Sequence, residues 1–175
     1  MNLFEAINAG NLEEVNRIIA TGGDVNEKNP MTDWPLLIHA IFAENRNPDI
    51  VNCLIQNGAD VNKKIPLSGS SPLMFALLFA NKNPDIVNCL IKNGANVNEP
   101  DLAGLTPFLK ALELKDLKLV RSFVENGGYL GPHKIWSDQT VDSRRLKDSD
   151  ENINNYLKAT FQVLSNLDVE IILNP

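Results

Sequence analysis

The chain has 175 residues, 43% hydrophobic and 22% charged, with a net charge of −6 and a sequence pI near 4.9. Length and composition suit one soluble globular domain. They disfavour nucleic acid as a partner, because the basic residues gather only in short clusters such as Lys63–Lys64 and Arg144–Arg145.

The N-terminus has no basic stretch ahead of an apolar one, so no secretory signal is expected, and no apolar run is long enough for a membrane span. Two cysteines without such a signal fit a reducing compartment, read as cytoplasm. Asn11 followed by Glu14 marks a helix start, and Gly22 marks its stop. Ile18 to Asn26 is the first, weaker copy of a motif that returns three times.

The second copy opens at Trp34-Pro35-Leu36, where Trp34 stands in a capping position that it cannot serve. A short linker, Glu44-Asn45-Arg46, leads to Asn47-Pro48-Asp49, whose cap, proline and acidic residue start a second helix. Asn47 to Ile55 recurs letter for letter as Asn83 to Ile91, an offset of 36 residues. In the third copy Ser71-Pro72 opens the first helix and Asn81-Lys82 forms the linker; in the fourth, Thr106-Pro107 opens it. Gly58, Gly94 and Gly127 fall where each second helix must end. One helix pair cannot cover Val51, Leu54 and Ile55, or Val87, Leu90 and Ile91, so neighbouring copies must stack.

The order of a Thr-Pro-Leu-like start, an alanine, an apolar second helix and a Gly-Ala-Asp-Val-Asn-like end resembles the ankyrin repeat, over about residues 1–130. The resemblance implies an all-α solenoid of four helix-turn-helix units with hairpin-like tips, about 1–28, 29–64, 65–100 and 101–130. The chain departs from the family's pattern at Leu37, Met74 and Leu109, where a histidine is usual, and at His39, where alanine is usual. The two linkers are extra residues, expected to bulge from one edge. After Leu130 the pattern fades. Residues 131–175 read as a loop and a C-terminal capping helix carrying Ile153, Leu157, Phe161 and Leu164; the other reading is a separate docking helix.

Chemistry-bearing patterns are sparse. His39 and His133 have no ligand or triad partner at a suitable spacing, and Ser68-Gly69-Ser70-Ser71 lacks a nucleophile elbow. Cys53 and Cys89 share one repeat position. Adjacent helices lie about 8–10 Å apart, beyond the roughly 7 Å a disulfide spans, so both read as small buried hydrophobes. No catalytic residue, metal or cofactor is assigned. An enzyme with its active site in the C-terminal segment is the alternative, but that segment is short for a catalytic domain.

The resemblance implies a concave face built from first helices and tips. Its variable positions fall on Asn8, Ala9, Ile41, Phe42, Leu78, Phe79, Glu113 and Leu114 in the helices, and on Pro30, Met31, Asp33, Leu67, Ser68, Ser70, Leu102, Ala103 and Leu105 in the tips. Most are apolar, which marks an interaction site on a soluble protein. The expectation is a protein-binding groove centred on Phe42 and Phe79 that grips an apolar helix or extended peptide, in a monomeric adaptor, inhibitor or effector. Ankyrin-bearing effectors of intracellular bacteria and viruses are similar in size and composition, which would place the chain in host cytoplasm. A competing expectation turns Phe42 and Phe79 into the core.

Overall fold

The computed structural model describes residues 1–79, 83–114 and 116–128. The expected C-terminal cap, His133 and the Asn81-Lys82 linker lie outside the described residues. Eight helices appear among the described residues: α1 (Leu3–Asn8), α2 (Leu12–Ala20), α3 (Leu36–Phe42), α4 (Pro48–Gln56), α5 (Pro72–Phe79), α6 (Pro84–Lys92), α7 (Pro107–Glu113) and α8 (Leu117–Glu125).

The helices form four antiparallel pairs in two layers. First helices pack in the order α1, α3, α5, α7, and second helices in the order α2, α4, α6, α8. Between the layers lies one continuous core, in which Val15, Ile38, Leu54, Leu73, Leu90 and Phe123 are fully buried. The repeat's apolar residues are therefore covered by neighbouring copies, as an unaided helix pair would require.

Local chemistry explains the helix ends. Asn47 Oδ1 accepts from the Asp49 N–H at 2.9 Å, and Asn83 does the same for Asp85 at 3.1 Å. Ser71 Oγ and Thr106 Oγ1 cap α5 and α7 through the Met74 and Leu109 N–H groups. At α3, Pro35 holds the cap position without a side-chain bond, and Trp34 is released for other use. Asn11 caps α2 through the Glu14 N–H, but the Glu14 carboxylate turns to Arg17 at 2.7 Å instead of closing a capping box. The complete box lies one helix earlier, between Asn2 and Glu5. Gly58 and Gly94 follow their helices with φ of 95° and 85°, the left-handed stop that side chains disfavour.

Polar side chains tie the copies together. Asn26 Nδ2 donates to Gly58 O at 3.0 Å while its Oδ1 accepts from the Asp60 N–H. Asn62 repeats the bridge to Gly94 O and the Asn96 N–H, and Asn98 donates to Gly127 O. Each Val-Asn end thus fastens the turn of the next copy. The linker of the second copy does not stand free. Asn45 Nδ2 donates to Ile7 O at 2.7 Å and Asn8 O at 3.1 Å, and Asn83 Nδ2 donates to Arg46 O. The linker expected to bulge from one edge is thus stitched to the first copy, its Asn45 amide reaching the last carbonyls of α1.

Candidate protein-binding groove

The tips connecting successive pairs keep a common register. Each turns on one residue of positive φ: Asp33 at 56°, Gly69 at 67° and Gly104 at 81°. Met31, Leu67 and Leu102 each precede that residue by two positions, and all three are strongly exposed, at 93%, 92% and 74%. The tips of the third and fourth copies touch directly: the Leu102 N–H donates to Ser68 O at 3.1 Å.

A second apolar row runs along the ends of the first helices. Phe42 closes α3 and Phe79 closes α5, each half-exposed. They share an aromatic cluster with two residues behind them. Trp34 meets Phe42 edge-on at 5.5 Å and Phe75 at 5.1 Å; Phe75 reaches Phe42 at 5.8 Å and Phe79 at 4.7 Å. Such pairs contribute about 0.5–1.5 kcal/mol each beyond area burial. The cluster holds the exposed rings in place.

Between the two rows lies a cavity of about 790 Å³. Trp34, Ile65, Leu67, Phe75, Leu78 and Phe79 form most of its apolar wall, with Asp33 and Asp101 among its polar lining.

The residues expected from the sequence divide. Phe42, Phe79, Leu78, Met31, Leu67 and Leu102 carry exposed apolar surface. Leu105 and Leu114 are half-buried, and Leu114 packs against the core. Ile41 is a correction: it is fully buried, because a one-residue step around a helix turns the side chain by about 100°. Trp34 and Phe75 were missed as groove residues. The signal for Trp34 was present, since a large aromatic ring replaces a cap at real cost to the helix start.

The remaining candidates have structural roles. His39 Nε2 lies 3.0 Å from Asn8 Oδ1, and its ring meets Phe4 edge-on at 5.0 Å, so it joins the first two copies. Burial lowers its pKa. The neutral form is therefore favoured on folding; its stabilisation is complete above the unfolded value near 6.5 and fades as pH falls through and below it. The melting temperature should fall between pH 7.5 and 5.5, and His39→Gln should flatten that fall. An equal slope in the variant would contradict this role.

Cys53 and Cys89 are free and half-buried, and burial pushes both thiols up, away from the reactive thiolate. Cys53 Sγ donates to Asn16 Oδ1 of the preceding copy at 3.1 Å. Among the described residues, no group of three His, Cys, Asp or Glu side chains could hold a metal ion, and no helix is long and apolar enough to cross a membrane.

A family model described as ankyrin repeats (3 copies) matches residues 3–101 and 37–131. No curated protein matches the chain closely enough to count as a relative. Ankyrin repeats are generally protein–protein interaction modules rather than enzymes. With stacked helix pairs, left-handed glycine stops, asparagine bridges between turns and a matching family model, the chain belongs to the ankyrin repeat family.

Proposed function

We propose that this protein binds another protein through the groove between the hairpin tips and the first helices of the second and third pairs, as an adaptor, inhibitor or effector does. The observation that carries this reading is a pair of half-exposed rings: Phe79 lines an open apolar cavity, and Phe42 stands against the Trp34 and Phe75 rings of its wall. Water-facing aromatic surface is costly to keep on a soluble protein, and aromatic anchors dominate interface energetics. The cluster on Trp34 and Phe75 also limits the side-chain entropy lost when a partner docks.

A selection from a displayed peptide library against the folded protein tests the reading. Selected peptides should be rich in apolar residues. Phe42→Ser with Phe79→Ser should weaken them by at least about ten-fold and, through the three ring pairs lost, lower the melting temperature by about 5–15 °C without loss of the fold. Loss of the fold in that variant would assign both rings to the core. Unchanged affinity would move the binding site elsewhere.

A further inference from the structure

The two apolar rows repeat once per helix pair, and this spacing reads onto whatever lies along them. Stacked helices sit about 8–10 Å apart. The exposed tip residues Met31, Leu67 and Leu102 occupy equivalent positions in successive copies, so neighbouring anchors are set about that far apart. An extended polyproline-like chain rises about 3.1 Å per residue with three residues per turn, so side chains on one face recur every 9 Å or so. That period fits one anchor per repeat. An α-helix places neighbours on one face about 5–6 Å apart and regains this spacing only at every seventh residue. The cavity touches tips from three copies, at Thr32, Leu67 and Asp101.

Charge selects further. Two carboxylates line the cavity, Asp33 and Asp101. Lys28 Nζ sits 3.0 Å from Asp33 and balances it. Asp101 is fixed by its own turn, its Oδ1 accepting from the Ala103 and Leu105 N–H groups, and no cation of the described residues pairs with it. A second copy of this chain, itself at −6, would bring like charge to this wall.

We infer that the groove takes an extended segment of a partner protein with bulky apolar residues at every third position and a lysine or arginine that meets Asp101. This rests on the binding role proposed above and adds the partner's conformation, register and charge.

Fluorescence anisotropy with three labelled synthetic peptides tests it. The first carries three leucines at every third position and one terminal arginine; the second is its scramble; the third is a helix-forming peptide with leucines at every seventh position. The first should bind at least about ten-fold tighter than either of the others, and Leu67→Ser or Phe79→Ser should remove most of that gain. Asp101→Asn keeps the turn's acceptor and removes the charge; it should weaken the first peptide by about three-fold and blunt its salt dependence. Equal binding of the first peptide and its scramble, no effect of Asp101→Asn, or a dissociation constant weaker than about 1 mM would overturn the inference. Tight binding of the seventh-position peptide that still needs Phe79 would overturn it while leaving the groove as the binding site. Peptide binding indifferent to Phe79→Ser would remove both.

Discussion

Leu90→Ala is expected to destabilise the protein by about 3 kcal/mol, within the range for a large side chain deleted from a packed core. Leu90 is fully buried in α6, which packs on α4, α5 and α8. The cavity would open between copies as well as within one. In a stack whose stability is a sum of neighbouring interfaces, damage to a middle copy weakens both sides. Total stability for a domain of this kind is about 5–15 kcal/mol, so the loss is a large fraction. The melting temperature should drop on the order of 10 °C. Urea unfolding followed by circular dichroism measures it, with the exposed Leu102→Ala as a control expected near zero. A Leu90 variant within about 0.5 kcal/mol of the parent would mean that this face of α6 is not covered by its neighbours.

Gly69→Ala is expected to cost about 2 kcal/mol and to weaken partner binding as well. Gly69 turns the tip of the third copy at φ 67°, where a side chain is strained. An added Cβ would also lie 2.8 Å from Leu102 Cγ and 3.0 Å from the Leu102 backbone nitrogen. The Leu102 side chain is exposed and can swing aside. Its backbone cannot move as freely, because the Leu102 N–H is bonded to Ser68 O. The tips would separate, and with them Leu67 and Leu102. Gly58→Ala separates strain from clash: Gly58 has φ 95°, with nothing within 4 Å of an added Cβ. It should cost only about 1 kcal/mol. Equal losses at the two positions would contradict the tip contact.

The fold was legible because its signals are local and repeated. Asn47 and Asn83 cap, Pro48 and Pro84 start helices, and Gly58 and Gly94 stop them, each by chemistry confined to a few residues. The groove was legible only in part. Exposure at Phe42 and burial at Ile41 differ by one step around a seven-residue helix, and that choice depends on how α5 crosses α3, which periodicity does not encode. Trp34 and Phe75 belong to different copies and meet only once these stack. Asn45 likewise bonds carbonyls at Ile7 and Asn8, across a sequence distance that no local pattern bridges. Asn26 and Asn62 each hold a turn of the next copy, across a separation of 32 residues.

Hydrogen–deuterium exchange of the full chain, with and without a library-selected peptide, locates the contact most directly. Slowed exchange should concentrate in the tips around Leu67 to Ser70 and Leu102 to Leu105 and at the ends of α3 and α5. Protection confined to the outer helices α4 and α6, with the tips unchanged, would contradict the docking surface described.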